Sequence, residues 1–233
     1  MISRCGLMQK KDGMGMEEFK DYWLNVHGPI ASTMANLRKY DQHVVVDSEH
    51  RHALGRGSVV IDGYSELQFD SYGDMLEGVA SLHGEGVDDI PKFANPHCQI
   101  LVLAKREVIR IPEYLRGKKL IQRVSFLGRA EGVSSERFVK EWWNVHDRLV
   151  QTVPGCVGYS QNLVVDRIDG GVSVPYEELP VEGVVEMWFE TKEAFDEFYA
   201  SPEFARASVH GSEFVGTINT YLTETYPVAL PSA

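Results

Sequence analysis

The chain has 233 residues, 24% charged and 43% hydrophobic, a mix that excludes disorder, collagen-like repeats and low complexity. A net charge of −11 repels phosphate backbones and anionic lipid, so no nucleic acid and no membrane surface is expected as a partner. Cys5, Cys98 and Cys156 lack CxxC spacing, no apolar run suits a bilayer span, and the N-terminus has no signal-peptide core, so a cytoplasmic protein is expected.

In chain order, an apolar strand near Ile2–Met8 leads through a polar loop into a helix from Met16. A β-rich run over Tyr40–Asp47, a variable loop, a strand over Tyr64–Phe69, a second helix and a closing strand over Gln99–Leu103 follow. His83 and His97 fall in loops, and the charged stretch Arg110–Lys118, with Pro and Gly, suits a linker. The same order then returns. A strand spans Leu120–Leu127, and a helix starts at Ser134, where Ser134-Ser135-Glu136 offers an N-cap. Its apolar positions Phe138, Trp142, Val145 and Leu149 trace one helical face. Strands over Tyr159–Asp166 and Val184–Phe189, a helix with Phe195, Phe198 and Tyr199, and a strand over Thr217–Thr223 complete the copy.

Shifting the chain by 119 residues aligns Ile2–Asp47 with Ile121–Asp166 without a gap, and about 15 of the 46 pairs are identical where chance gives roughly 3. The densest match sets Phe19-x-x-x-Trp23-x-Asn25-Val26-His27 against Phe138-x-x-x-Trp142-x-Asn144-Val145-His146. Each copy reads β-α-β-β-α-β, the ferredoxin-like plan of an α+β fold, with units over 1–110 and 120–233 and a linker over 111–119. Helices cover one face of such a sheet. Two units stacking their bare faces would bury the other, so two separate sheets are expected face to face about a pseudo-twofold axis.

His27 with Tyr40, and their copies His146 with Tyr159, are the strongest chemical candidates. At about 100° per residue His27 stands at the edge of the buried helix face, and Tyr40, Gln42, Val44 and Val46 share one strand face. If that face meets the helix, imidazole and phenol converge on one cleft, where the first exchanges protons at neutral pH and the second holds an oxyanion. A histidine at a helix end also has a plain packing role. His50 and His52 form an H-x-H pair without a third ligand, so no metal is expected. No Walker loop, GxGxxG or nucleophile elbow is present, and no cofactor is expected.

The run Phe19-Lys20-Asp21-Tyr22-Trp23-Leu24-Asn25-Val26-His27-Gly28-Pro29 resembles the F-x-x-Y-W-x-x-x-H-x-P signature of the EthD domain, a family of the dimeric α+β barrel superfamily, which implies that the two fused units form an intramolecular dimeric α+β barrel. The second copy departs from it at Glu141 and at Asp147-Arg148. Within that group, Val174-Pro175-Tyr176 and Gly183–Phe189 also resemble a stretch of the methylmuconolactone methylisomerases. The resemblance implies His27 and His146 as proton-transfer residues, Tyr40 and Tyr159 as their partners, and a loop histidine at His52, replaced by Ser173 in the second copy. The thiol of that group falls at Leu67 and Met187, so isomerisation through it is not carried over. With Tyr22 added, the first copy is the more complete and is expected to be the working one. Trp23, Gln42, Leu67, Trp142, Gln161 and Met187 are expected to line the substrate sites.

The reading that results is a cofactor-independent lyase or isomerase acting on a small oxygenated aromatic-derived or polyketide-like molecule. The alternative is a non-catalytic accessory or small-molecule-binding protein, and haem binding lacks a distinct axial ligand. A homodimer of the fused chain is a further partner to consider.

Overall fold

The computed structural model describes residues 1–96 and 98–231, so His97 lies outside the described residues. The first copy comprises β1 (Ile2–Met8), α1 (Met16–Tyr22), a π-helical turn (Trp23–His27), α2 (Gly28–Ala31), β2 (Lys39–Asp47), β3 (Gly63–Phe69), α3 (Tyr72–Ser81), α4 (Glu85–Asp89) and β4 (Gln99–Ile109). The second has β5 (Ile121–Arg129), α5 (Ser135–Glu141), a π-helical turn (Trp142–His146), α6 (Asp147–Val150), β6 (Cys156–Asp169), β7 (Val172–Ser173), β8 (Gly183–Phe189), α7 (Lys192–Ala200), α8 (Pro202–Gly211) and β9 (Val215–Pro227). Ser134 caps α5, its hydroxyl accepting from the Arg137 N–H at 3.2 Å.

Within each copy the strand order is the ferredoxin-like one, β4-β1-β3-β2 and β9-β5-β8-β6. The two sheets do not remain separate. β2 pairs with β9 and β4 with β6, closing an eight-stranded antiparallel barrel. This is the barrel within one chain that the resemblance implied, and it corrects only the expectation that the two stacked sheets stay separate. An open four-stranded sheet leaves unpaired N–H and C=O groups along both edges, and only closure removes them. β4 outruns its predicted end for the same reason, because it continues along β6 as far as the Ile109–Tyr159 pair.

Strand alternation gives the sheet two faces. Inward residues of both copies, among them Leu7, Tyr64, Leu101, Phe126, Val184 and Tyr221, form one core inside the barrel. Outward residues pack beneath the helices, in clusters built on Phe19, Trp23 and Phe93 in the first copy and on Phe138, Trp142 and Phe214 in the second. One end of the barrel interior is polar, where Lys105 lies between Glu66 and Glu186.

Both first helices widen at the same place. The Gly28 N–H bonds to the Trp23 carbonyl and the Asp147 N–H to that of Trp142, five residues back. The wider turn rotates the following residues relative to a regular helix. The expected buried face is therefore wrong at one position: Val26 and Val145 are 42% and 41% exposed, while His27 and His146 turn toward the protein.

Candidate functional site

Between the helices and the sheet of the second copy lies a cavity of about 80 Å³, walled by Trp142, His146, Tyr159, Met187 and Phe214 among others. Tyr159 is fully buried on β6, and its hydroxyl accepts from Gln161 Nε2 at 2.8 Å. The same amide donates to the Trp142 carbonyl at 2.9 Å, tying the strand to the π-turn. Gln161 therefore stands behind Tyr159. Its own proton is left to donate, and burial raises its pKa against the lowering effect of the Gln161 bond.

His146 leaves the π-turn with Nδ1 3.3 Å from Nδ1 of His210 on α8, whose Nε2 is 3.4 Å from Glu141 Oε2. A carboxylate only accepts, so it selects the Nε2–H form of His210. That leaves His210 Nδ1 as an acceptor for His146 Nδ1–H, and His146 Nε2 with a free lone pair. Burial, then His210, pushes the pKa of His146 down to about 4, so it is a neutral base at neutral pH.

Arg123 on β5 enters the same cavity and is 4% exposed. Its Nη2 donates to His52 Nε2 at 2.9 Å, its Nη1 touches Met187 Sδ at 3.1 Å, and the guanidinium lies over the Tyr199 ring at 5.5 Å. Among the described residues no carboxylate pairs with it. Burial, then Arg123, drives His52 down to about 2, which makes it a neutral acceptor.

His52 is thus in the second cleft, not the first, correcting the expectation that it joins His27. The loop between β2 and β3 is fastened across the barrel seam by the Gly55–Thr217 bridge and by the Ile218 N–H to the Gly55 carbonyl at 2.9 Å. In the H-x-H pair, His50 Nε2 contacts the Leu54 carbonyl at 2.6 Å, and the two rings stand 6.3 Å apart.

In the first copy, His27 Nδ1 is 3.0 Å from Asp89 Oδ2, while Asp89 Oδ1 accepts from the Tyr22 hydroxyl at 2.9 Å and from Lys92 Nζ at 3.0 Å. Burial lowers the His27 pKa against the pull of Asp89. Phe93 covers the ring at 4.9 Å. Tyr40 and Gln42 repeat the Tyr159–Gln161 contact at 2.8 Å, with Gln42 donating to the Trp23 carbonyl at 2.9 Å. Leu67 packs in the core with Tyr40. The carboxylate has changed place between the copies: Tyr22–Asp89–His27 in one, Glu141–His210–His146 in the other.

Sequence reasoning missed Arg123, Asp89 and His210. Arg4 and Arg123 coincide in the ungapped repeat, a signal that could have flagged them. Asp89 and His210 carry none, because they differ and lie on short helices read as loop or as part of one helix.

Three solved structures share this architecture along nearly their whole length. They are an anthrone oxidase-like protein (10% identity, 98% of this chain and 93% of that one, TM-score 0.65), a candidate monooxygenase of Lactobacillus acidophilus (10%, 100% and 97%, 0.56) and another of Fusobacterium nucleatum (6%, 100% and 95%, 0.61). At such identities they show the fold alone. No curated protein matches the chain, so the methylisomerase resemblance gains nothing from these comparisons. The EthD domain model matches twice, over residues 11–97 and 130–217. With one match in each copy, together covering most of the sequence, the chain belongs to the EthD family.

Proposed function

We propose that the second cleft moves a proton on a small oxygenated, enolisable molecule of aromatic or polyketide-like character, as a cofactor-independent isomerase or lyase. The observation that carries this reading is a neutral buried imidazole and a buried guanidinium, with no carboxylate among the described residues paired to it, lining one apolar cavity. His146 Nε2 takes a proton from a carbon beside a carbonyl, and the electron pair moves onto the oxygen. Arg123 and the Tyr159 hydroxyl meet that oxyanion. Returning the proton to another carbon gives an isomer, and expelling a β-substituent instead gives a lyase.

The cavity sets a size limit. An engineered cavity of about 150 Å³ holds benzene, so a ring-sized substrate requires the loop carrying His52 to yield. The name of one structural neighbour, anthrone oxidase-like, is in keeping with an oxygenated aromatic compound.

The test is deuterium incorporation followed by NMR in D2O, over a panel of cyclic diketones, unsaturated lactones and hydroxylated aromatic ketones. Exchange at the acidic carbon should fall about 10²–10⁴-fold in His146→Ala and persist in His27→Ala. Equal losses in both variants would place the chemistry elsewhere. Binding without any exchange by the wild type would make this a small-molecule-binding protein.

A further inference from the structure

Inside the barrel, away from both clefts, Asp41 and His43 each have one polar atom tied and another without a hydrogen-bond partner among the described residues, and Glu66 turns one oxygen toward them. Asp41 and His43 lie on the inward face of β2, and Glu66 lies opposite on β3. Asp41 and His43 are only 3% and 2% exposed. Asp41 Oδ2 pairs with Lys39, while its buried Oδ1 has no hydrogen-bond partner. His43 Nδ1 lies 3.1 Å from both Gln122 Oε1 and Thr225 Oγ1, and its buried Nε2 has no hydrogen-bond partner. Glu66 takes Ser3 at 3.1 Å, Gln68 at 3.2 Å and Lys105 on Oε1, and turns Oε2 toward His43 Nε2 at 3.7 Å.

Gln122 Oε1 only accepts, so Nδ1 of His43 carries a proton, and Nε2 is the nitrogen left to act as a ligand beside the two carboxylates. The ring is held there by stacking on Tyr64, with centroids 4.1 Å apart and planes 6° apart. At 3.7 Å the His43–Glu66 separation is too long for a hydrogen bond. Two ligands about 2.0–2.2 Å from one tetrahedral ion stand roughly 3.3–3.6 Å apart, which the site nearly matches. One possible ligand atom from each of Asp41, His43 and Glu66 lies within 4.8 Å of the other two.

We infer that Asp41 Oδ1, His43 Nε2 and Glu66 Oε2 form a binding site for one divalent first-row transition ion, such as Zn²⁺. The bonds on the opposite atoms of the three side chains are the outer contacts that orient metal ligands. Charge agrees: Asp41, Glu66 and Glu186 supply three negative charges and Lys39 and Lys105 two positive ones, leaving one uncompensated negative charge. The duplication supplies an internal control. The second copy has Ser160, Asn162 and Glu186 at the equivalent places, with Asn162 Nδ2 donating to Glu186 at 2.9 Å. The barrel therefore packs without an aspartate and a histidine there, and their presence in the first copy calls for another reason. Entry is from the barrel end at Lys39, Gln68 and Thr225, which are exposed or partly so.

The full chain, stripped with a chelator and dialysed, is titrated with Co²⁺ and followed by its visible d–d absorption, with Zn²⁺ competition and thermal melts in parallel. One equivalent should bind per chain, and Zn²⁺ at about 100 times its Kd should raise Tm by roughly 5–10 °C. His43→Asn and Asp41→Ser, which install the second copy's residues, should each abolish the signal, while His146→Ala should retain it. Should either variant melt far below the wild type without metal, Glu66→Gln takes its place in the comparison. Failure of the wild type to bind Co²⁺, or binding by His43→Asn equal to wild type, overturns the site.

Discussion

Acidification is the perturbation to which the second cleft should respond most directly. His146 has its pKa pushed down to about 4 in the fold, whereas in the unfolded chain it returns to about 6.5. Between those values the unfolded chain binds a proton that the folded chain does not, so stability is lost as pH falls from about 6.5 toward 4. Above that window the imidazole is neutral in both states and contributes no pH dependence. The linkage relation puts the loss at about 2 kcal/mol at pH 5 and about 3 kcal/mol at pH 4. For a chain of this length 2 kcal/mol lowers Tm by roughly 4–8 °C. Other groups titrate in the same range, so the informative quantity is the difference between wild type and His146→Gln in urea unfolding at pH 7.5, 6 and 5. The variant should lose about 2 kcal/mol less than the wild type between pH 7.5 and 5. Parallel curves for the two proteins would refute the desolvated, neutral state assigned to His146, and with it the general-base role.

Three other perturbations follow from the packing. A Cβ at Gly183 would come within 2.5 Å of the Trp142 ring, so Gly183→Ala should cost about 1–3 kcal/mol in denaturant unfolding, and Gly63→Ala beside Trp23 should do the same. Gln161→Leu removes the donor shared by Tyr159 and the Trp142 carbonyl and should lower stability by about 1–3 kcal/mol; an unchanged midpoint would mean that water replaces the amide. Residues 1–110 expressed alone leave the edges of β2 and β4 open, and size-exclusion chromatography should show self-association; a stable monomer would contradict edge closure as the reason for the fused barrel.

Much of the fold was legible because the relevant forces are local or repeated. The Trp23 and Trp142 stripes, the Ser134 cap and the alternation through Tyr40–Gln42–Val44 report helix and strand periods directly, and the duplication doubles every such signal. Val26 and Val145 were misplaced because a regular helical period was assumed. The turn that exposes them closes a five-residue hydrogen bond, and Gln42 and Gln161 reach from another strand to the carbonyls involved. Nothing within the helix marks that contact.

The site was legible in part. His146, Tyr159, Trp142 and Met187, each named from the sequence, line one cavity in the second copy. The choice between the copies was beyond the sequence, because it turns on where the β2–β3 loop crosses the seam and on which residue α8 or α4 sets against the imidazole.

By itself the sequence determined that there are two βαββαβ units and, Val26 and Val145 apart, which apolar residues are buried beneath their first helices. These follow from hydrophobic period and repetition, short-range properties of a chain. Tertiary structure decided which strand edges pair to close the barrel, that His52 stands in the opposite copy's cleft, and that Arg123 is buried with no carboxylate among the described residues paired to it. Each of those depends on pairing or desolvation between residues tens to more than a hundred positions apart, and the energies involved exist only once the barrel has closed.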